Sequence, residues 1–329
     1  MLDETDLQLV NLLQIDPRMS WANAGRILGI SATTAANHWH RLSAEGLAWV
    51  TTYPNLETQF TAIVEVDCRT DALPSAIEQL RQHPLVVSVE ESTGNSDLLL
   101  WIIAPDMSSL TTLIIEWVGG LEGVHGTRSS LVTEVIVGSE SWRVNALDRA
   151  QTGQAVSARP RPSPDAGPAR VDVALAEALA RDGRASATSL AQLLDAPVSS
   201  VQRRLQRLLT GGLITMRCDV APELAGWALE CTWLATAALS HKPRIAELLK
   251  DQPALRACEW TTGAHNLRLT FRANTMRTLR SFEQTIAKTL PGLAPSELVV
   301  QLRAHKSMGW LLDSAGRTTG KLVVPVFAS

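Results

Sequence analysis

The chain has 329 residues, 45% of them hydrophobic and 19% charged, which is enough to bury the cores of two ordinary domains or several small ones. No apolar run approaches the roughly 20 residues of a membrane span. The acidic beginning "MLDETDLQ" lacks the apolar stretch of a signal peptide, so we expect a cytoplasmic protein with no membrane segment. The four cysteines are far apart, which predicts buried apolar thiols rather than a disulfide framework or a zinc site.

Charge is distributed unevenly along the chain. Residues 1–147 include 7 basic and 18 acidic residues, whereas residues 148–329 include 23 basic and 15 acidic residues. A polyanion would therefore be attracted to the second half of the chain and repelled by the first half.

The first 54 residues predict three short helices and a strand. Asp3, Ser20 and Ser31 are suitable N-caps for the three helices. The apolar residues of the first helix recur on one face, at Leu7, Val10 and Leu13. The third helix ends at Glu45 and Gly46, and the following "LAWVTTY" has the composition of a strand. Three helices followed by a strand pair form a winged helix-turn-helix domain, which we predict over residues 1–54.

Residues 55–147 predict a ferredoxin-like domain. The strand-like segments are "FTAIVEVDC", "LVVSVEEST", "DLLLWIIAP" and "GTRSSLVTEVIVG". Two helical segments, "DALPSAIEQLRQHP" and "SSLTTLIIEWVGGL", interrupt them. The resulting order is β-α-β-β-α-β, which is the order of a ferredoxin-like unit.

The chain then repeats itself after a proline-rich segment. Residues 148–170 contain four prolines and no helical or strand periodicity, so they predict a linker. "DPRMSWANAGRILGIS" recurs 166 residues later as "DGRASATSLAQLLDAP", and "STGNSDLLLWI" recurs 169 residues later as "TTGAHNLRLTF". The repeat predicts a second winged helix-turn-helix domain over residues 171–220, a second ferredoxin-like domain over residues 221–314 and a tail over residues 315–329. The predicted fold class is α+β.

These parts resemble the leucine-responsive/asparagine-synthase regulator (Lrp/AsnC) family of transcription factors. In the first copy the resemblance lies in "LDETDLQLVNLLQIDPRMSWANAGRILGISATTAANHWHRLSAEGL", "STGNSDLLL" and "GLEGV". In the second copy it lies in "ALARDGRASATSLAQLLDAPVSSVQRRLQRLLTGGLI". Family members normally have one copy and dimerise through the sheets of their sensor domains. The resemblance implies an intrachain pseudo-dimer, double-stranded DNA as a partner, and a small-molecule effector, often an amino acid, near the turn between the second and third sensor strands.

The resemblance assigns DNA contacts to the third helix of each winged helix-turn-helix domain. Polar side chains at the start of such a helix read bases, and basic side chains reach guanine or phosphate. In the second copy the expected DNA-binding residues are Ser199, Ser200, Gln202, Arg203, Arg204 and Arg207. In the first copy they are Thr33, Thr34, Asn37, His38, His40 and Arg41.

The third helix of the first copy differs from the family pattern. Where the family tends to have arginines, this sequence has Ala36, Asn37 and His38. Two interpretations stay open: the helix reads a different half-site of an asymmetric operator, or it has lost DNA binding and packs against a partner. His38 and His40 point about 200° apart on a helix and cannot share an ion, so no metal site is predicted.

In the sensor domains, "TGNSD" and "TGAHN" predict glycine-containing turns between apolar strands. The predicted effector-binding residues are Thr93, Gly94, Asn95, Ser96 and Asp97 in the first copy and Thr262, Gly263, Ala264, His265 and Asn266 in the second. Asp97 is suited to receive the ammonium group of an amino acid, whereas the neutral Asn266 indicates an altered or lost second site. The alternative is an ordinary hairpin turn in which Asp97 bonds to its own backbone.

Two other functions stay open. Siroheme decarboxylases resemble this family and also occur as fused double copies, although no clustered His/Arg motif is visible in either sensor domain. A sensor that recruits another protein instead of DNA is consistent with the acidic first half of the chain. We expect a regulator and not an enzyme, with no cofactor, an effector of unknown identity, and assembly into homodimers of the chain or larger oligomers.

Overall fold

The computed structural model describes residues 3–159, 170–249, 252–289 and 293–328. It confirms the predicted α+β fold, with two copies of a winged helix-turn-helix domain followed by a ferredoxin-like domain. The elements of the first copy are α1 (Glu4–Ile15), α2 (Trp21–Leu28), α3 (Ala32–Ala44), β1 (Ala48–Pro54), β2 (Phe60–Cys68), α4 (Leu73–Gln82), β3 (Val86–Ser92), β4 (Leu98–Ala104), α5 (Met107–Thr111) continuing as a π-helix (Thr112–Val118), and β5 (Val124–Val137).

The second copy follows an additional helix, α6 (Arg149–Ala158), and repeats the same order with one inserted helix, α10 (Pro222–Ala225), and a short C-terminal extension. Its elements are α7 (Val173–Arg181), α8 (Ala187–Leu193), α9 (Val198–Thr210), β6 (Ile214–Val220), α10 (Pro222–Ala225), β7 (Leu229–Thr236), α11 (Lys242–Leu249), β8 (Leu255–Thr261), β9 (Leu267–Ala273), α12 (Met276–Thr289), β10 (Ala294–Ser307), β11 (Trp310–Leu312) and β12 (Thr318–Leu322).

Side-chain caps begin the helices of the first winged helix-turn-helix domain, as the sequence predicts. The carboxylates of Asp3 and Asp6 each accept a hydrogen bond from the other's backbone N–H, which forms a capping box at α1. The hydroxyls of Ser20 and Ser31 cap α2 and α3. Gly29 ends α2 in the left-handed conformation, with φ of 71°.

The two winged helix-turn-helix domains pair with each other through their strands. The sequence predicts a strand pair within each domain, but each domain supplies one strand, and β1 and β6 form an antiparallel sheet between the copies. This pairing satisfies two strand edges that would otherwise be exposed. Thr51 lies opposite Arg217, which is its own counterpart 166 positions later. A pseudo-two-fold axis therefore passes through this residue pair.

The strands of the two sensor domains close into one antiparallel sheet of eight strands. Their order is β3-β4-β2-β5-β8-β9-β7-β10, and β10 returns to pair with β3. The long strands β5 and β10 begin beside the first sensor strand of their own copy and end beside the second sensor strand of the other copy. Val132 pairs with Thr261, and its counterpart Gln301 pairs with Ser92. This reciprocal exchange builds the expected intrachain pseudo-dimer.

Helices cover the outer faces of the closed sheet. α4, α5 and the π-helix pack on the first sensor sheet around Leu80 and Leu100, both fully buried. α11 and α12 pack on the second sheet around Trp233 and Phe271. All four cysteines are buried and unpaired, as predicted. Within the described ranges, no helix has the length and apolar content required to cross a bilayer.

Two segments that we expected to be irregular contain regular structure. α6 occupies the first part of the predicted linker, where Asp148 and Gln151 form a capping box and Ala155 is fully buried. The prolines that suggested a linker all follow α6, in residues 160–169, which lie outside the described residues. In the predicted tail, β12 pairs with β11, and Phe327 is buried in the core of the second winged helix-turn-helix domain.

Candidate nucleic-acid interface and effector site

The exposed face of α9 presents two arginines that have no acidic partner among the described residues. Gln202, Arg203 and Arg207 are exposed, and Ser199 is exposed at the start of the helix. Neither Arg203 nor Arg207 has a nitrogen within 4.0 Å of a carboxylate oxygen in the described part of the chain. In a helix-turn-helix protein this helix faces the DNA major groove, so both guanidinium groups are available for base or phosphate contacts.

Arg204 does not belong to this exposed face. Its Nε and a terminal nitrogen donate to the two carboxylate oxygens of Asp172, at 2.5 and 2.9 Å. Asp172 is the N-cap of α7, so the ion pair ties α9 to α7. The hydrogen bonds from Arg204 lower the pKa of Asp172, which keeps this carboxylate ionised. The structure therefore places Arg204 in the domain scaffold and not with the predicted DNA contacts.

In the first copy, two more of the predicted DNA-binding residues, His38 and Arg41, make the same kind of contact with the first helix. Asp6 is fully buried; its carboxylate lies 2.7 Å from Nδ1 of His38 and accepts hydrogen bonds from Arg41 at 2.5 and 2.6 Å. Burial raises the pKa of Asp6, but the hydrogen bonds from His38 and Arg41 outweigh it and hold the pKa below its usual value. His38 is the counterpart of Arg204, 166 positions earlier, so both copies fasten the third helix to the first in the same way.

What remains exposed on α3 is uncharged or weakly basic. Thr33, Thr34, Asn37 and His40 are exposed, and the Thr34 hydroxyl lies 2.8 Å from that of the N-cap Ser31. At the position where α9 has the Arg203 guanidinium, α3 therefore has the Asn37 amide, and the counterpart of Arg207 is Arg41, which is paired with Asp6.

One group of side chains near α3 has the donor types of a metal site. Single ligand atoms of Asp3, Asp6 and His38 lie within 4.8 Å of one another. The Arg41 guanidinium already compensates the charge of Asp6, and the carboxylates of both aspartates cap α1. The arrangement functions as an ion-pair and capping network.

The turns predicted to bind an effector lie on one cavity of about 450 Å³ between the two sensor domains. Gly94 and Gly263 adopt φ of 99° and 100°, as expected for the glycines of such turns. Four of the ten predicted effector residues line the cavity: Asn95, Gly263, Ala264 and His265. The other residues of its wall include charged and apolar side chains from both copies: Ile63, Glu65, Arg128, Ser129, Ser130, Leu234, Thr261, Arg268 and Glu297.

Charged side chains from both copies hold the first turn. Arg128 donates to Glu65 at 3.0 Å, to Asp67 at 2.8 Å and to the backbone oxygen of Asn95 at 2.8 Å. Glu297, from the other copy, accepts from the backbone N–H and the side-chain amide of Asn95 at 3.2 and 3.1 Å. The cavity therefore has a cationic and an anionic group on opposite sides of one turn.

Asp97 has a structural hydrogen bond and does not line the cavity. Its Oδ2 accepts from the backbone N–H of Cys68 at 2.8 Å. Its counterpart Asn266 bonds twice to the backbone of Ala237, at 2.9 Å each. Both side chains support the neighbouring strand ends, so the charged side chains that line this cavity are Glu65, Arg128, Arg268 and Glu297. None of these four residues was predicted, because they lie on strands outside the turn motifs.

The predicted threonines also have structural roles. Thr93 bonds to the backbone of Val300 through its N–H and its hydroxyl, at 2.9 Å each. Thr262 makes the same two bonds to Leu131, also at 2.9 Å. These bonds join each turn to the long strand of the other copy.

Three family models match this chain. The AsnC-type helix-turn-helix domain matches residues 2–43, the Lrp/AsnC ligand binding domain matches residues 61–142, and a winged helix-turn-helix DNA-binding model matches residues 171–215. The matches cover the first winged helix-turn-helix domain, the first sensor domain and the second winged helix-turn-helix domain.

Similar proteins correspond to a single copy of the repeat. The HTH-type transcriptional regulator Ptr1 of Methanocaldococcus jannaschii is 28% identical over 138 residues, which are 40% of this chain and 92% of the relative. The Bkd operon transcriptional regulator of Pseudomonas aeruginosa is 24% identical over 143 residues, which are 41% of this chain and 94% of the relative. Both relatives are named as transcriptional regulators.

A solved structure shares the double-copy architecture. The siroheme decarboxylase NirDL aligns over 93% of this chain and 93% of its own, with a TM-score of 0.58 and 12% sequence identity. At this identity the likeness concerns the fold alone. The domain matches and the relatives show the domains of an Lrp/AsnC-type DNA-binding transcriptional regulator: an AsnC-type helix-turn-helix domain and an Lrp/AsnC ligand binding domain in the first copy, and a second winged helix-turn-helix domain in the second copy.

Proposed function

We propose that this regulator docks on operator DNA with two unequal helices. α9 supplies phosphate or guanine contacts through Arg203 and Arg207, and α3 reads bases through Asn37 and neighbouring polar side chains. The observation that supports this most directly is the difference between counterparts: Arg207 is exposed and has no ion-pair partner in the part of the chain that the structure describes, whereas its counterpart Arg41 bonds to Asp6. The first helix therefore contributes little phosphate attraction, and we assign it to discrimination between sequences.

The pairing of β1 with β6 favours joint docking over the alternative in which α3 has left the DNA. Their register relates the two domains by a pseudo-two-fold axis, the symmetry with which dimeric helix-turn-helix proteins present two recognition helices to successive half-sites. Because the two helices are encoded separately, the half-sites need not match. We therefore propose an asymmetric operator in place of a palindrome.

We further propose that the cavity between the turns binds the effector, a small zwitterion of the amino-acid class. Arg128 would pair with its carboxylate, and Glu65 or Glu297 with its ammonium group. The buried Nδ1 of His265 has no hydrogen-bond partner in the described structure and offers a further contact to the effector.

We place the protein in the cytoplasm, where DNA and amino acids are both available. We also propose that chains associate into homodimers or larger assemblies.

The experiment that tests the function is binding of the purified chain to DNA from upstream of its own gene. The same DNA with a scrambled sequence measures non-specific binding. Arg203→Ala with Arg207→Ala should weaken binding to both DNAs, because guanidinium–phosphate attraction is independent of sequence. Asn37→Ala should weaken binding mainly to the upstream DNA, by about tenfold, which corresponds to one base contact. Binding that none of these substitutions alters would contradict the proposed docking.

A panel of the common amino acids, added in the same assay, tests the effector. The expected result is a change in DNA affinity with one or a few of them, lost in Glu297→Gln. Light scattering of the purified protein as it elutes from a size-exclusion column measures the mass of the assembly. A mass of one chain at all concentrations would contradict the proposed assembly.

A further inference from the structure

The inner faces of the two sensor sheets have different chemistry. In β4 the residues that face inward are Leu99, Trp101 and Ile103, which belong to an apolar cluster. Their counterparts in β9, each 169 positions later, are Arg268, Thr270 and Arg272. The alternation "LRLTFR" in β9 places the apolar residues against the helices and the polar residues toward the first copy. The second copy has therefore exchanged an apolar inner face for a polar one.

The adjacent strand shows the same exchange. Glu230 and Thr232 on β7 are the counterparts of Thr61 and Ile63 on β2. The polar face lines an interior cavity of about 70 Å³, which adjoins a second cavity of about 190 Å³. The two share five wall residues: Glu90, Glu230, Arg256, Gln301 and Ser307. A space of this size accommodates several waters or a small metabolite.

Two charged side chains in this cavity have unpartnered polar atoms. Glu259 is 2% exposed, and its Oε2 has no hydrogen-bond partner in the described structure. Arg268 is 4% exposed, and the same holds for its Nε. The guanidinium of Arg268 lies 5.4 Å from the ring centre of Trp101 and donates to the Thr232 hydroxyl at 3.3 Å. Buried charged groups left without partners are costly, so the geometry favours a ligand that completes them.

The neighbouring charged groups are already paired. Arg217 and Arg256 lie 2.8 and 3.3 Å from Asp219, and Arg272 lies 2.7 Å from Glu230. These ion pairs use the arginines on the wall nearest the winged helix-turn-helix domains. Arg268 lies opposite Glu259 in the β8–β9 register but forms no ion pair within 4.0 Å among the described residues, so it is the arginine of this group that is available to an anionic ligand.

The charge of the cavity favours an anionic ligand. Its buried and half-buried charged side chains are Arg217, Arg256, Arg268, Arg272, Asp219, Glu90, Glu230 and Glu259. Burial raises the pKa of Glu90 and that of Glu259 to about 7 each. Both are therefore partly protonated at neutral pH, and four arginines then exceed the ionised carboxylates.

We propose that the polar cavity inside the closed sheet is a second ligand site, which binds a small organic carboxylate through Arg268, the carboxyl O–H of Glu259 and the hydroxyls of Thr232 and Thr270. Arg268 also lines the cavity between the turns and so separates the two spaces, whereas Glu259 and Thr270 face only the interior one. Only the inner face of the second sensor sheet provides these polar side chains, because the counterparts of Arg268, Thr232 and Thr270 in the first copy are apolar. The ligand therefore binds once per chain.

The test is the binding of sodium acetate and sodium succinate to the purified chain without DNA, measured by calorimetry at constant ionic strength. At least one carboxylate should bind with one site per chain. Arg268→Leu, which installs the counterpart residue, should weaken binding by about tenfold or more, as expected for loss of a charge-assisted hydrogen bond. Thr270→Val removes one hydroxyl at nearly constant volume and should weaken binding by about fivefold, even if the leucine variant does not fold.

Two controls distinguish the interior site from the cavity between the turns and from a general anion effect. Arg128 lies in the cavity between the turns, so the Arg128→Ala variant should retain carboxylate binding. If this variant lost carboxylate binding, the carboxylate would bind in the cavity between the turns, and the proposal would be overturned. Inorganic phosphate should bind much more weakly than the carboxylates, and equal binding would reveal a general anion effect and overturn the proposal as well. Failure of both carboxylates to bind the wild type would refute the site while leaving the DNA-binding proposal untouched.

Discussion

Arg18 and Arg184 make the same two hydrogen bonds in opposite directions across the paired winged helix-turn-helix domains. Arg18 donates to the backbone oxygens of Gly183 and Ala185, at 2.5 and 2.7 Å. Arg184 donates to the backbone oxygens of the two residues that flank Arg18, also at 2.5 and 2.7 Å. The two arginines are counterparts, 166 positions apart. Together with β1 and β6 they fix the two DNA-binding domains relative to each other.

The two arginines differ in their contacts with aromatic rings, which gives a prediction. The guanidinium of Arg184 also lies 3.8 Å from the ring centre of Trp21, the principal cation–π contact, and 5.9 Å from that of Trp39. Arg18→Ala should lower the free energy of unfolding by about 1.5–3 kcal/mol, since it removes charge-assisted hydrogen bonds. Arg184→Ala should cost about 0.5–2 kcal/mol more, because the cation–π contact is lost as well. Urea unfolding of the two variants measures the difference, and equal losses would contradict it.

Arg204 provides a second prediction, because the structure assigns it to stability. Arg204→Ala should lower the free energy of unfolding by about 1–2 kcal/mol. It should leave the salt dependence of DNA binding as in the wild type. Arg203 is one residue away and exposed. Arg203→Ala should weaken the salt dependence of DNA binding and leave the free energy of unfolding as in the wild type. If Arg204→Ala changed the salt dependence and not the stability, the assignment would be wrong.

This ion pair also sets a pH dependence. The pKa of Asp172 is lowered in the folded state by Arg204, from an ordinary value of 3.8. The contribution is therefore fully present above that ordinary pKa and is lost as the pH falls through the lower folded-state pKa. The stability difference between the wild type and Asp172→Asn should be constant from pH 7 to about pH 5 and shrink below about pH 4. A difference that persists unchanged at lower pH would show that the carboxylate charge does not stabilise α7 against α9.

The glycines of the two turns should differ in their tolerance of a side chain. Both Gly94 and Gly263 have φ near 100°, so alanine at either position costs about 1–3 kcal/mol in backbone strain. A Cβ at Gly94 would also lie 2.6 Å from an oxygen of Glu297, whereas one at Gly263 would lie 3.2 Å from the Ser130 hydroxyl. Gly94→Ala should therefore lower the thermal midpoint more than Gly263→Ala. A larger loss of thermal midpoint in Gly263→Ala would show that the Glu297 side chain moves aside at little cost and does not hold the turn.

Much of the architecture was predictable because its signals are local. Capping residues such as Asp3 and Ser31 begin helices within three residues of themselves, and strand alternation reports a buried face over a few residues. The duplication was visible because separate motifs recur at nearly one offset. These features fixed the order of domains and the recognition helices.

The features that were not predicted depend on contacts between distant residues. The partner of Arg204 is Asp172, 32 positions earlier on another helix, whereas helical periodicity indicates only acidic partners one turn away. The pairing of β1 with β6, rather than with a second strand of its own domain, depends on how the two copies meet. The polar inner face of β9 did have a local signal in "LRLTFR", which comparison with "LLLWII" in β4 would have identified.

Docking through both helices can be tested by exchanging two counterparts, Asn37 and Arg203, in DNA-binding measurements over a salt series. Arg203→Asn should reduce the slope of log affinity against log salt concentration by about 0.9, the value for one phosphate contact on duplex DNA. Asn37→Arg should steepen it by about the same amount, because α3 lies against the same duplex. An unchanged slope in Asn37→Arg, together with a reduced slope in Arg203→Asn, would show that only α9 meets DNA and would contradict docking with both helices.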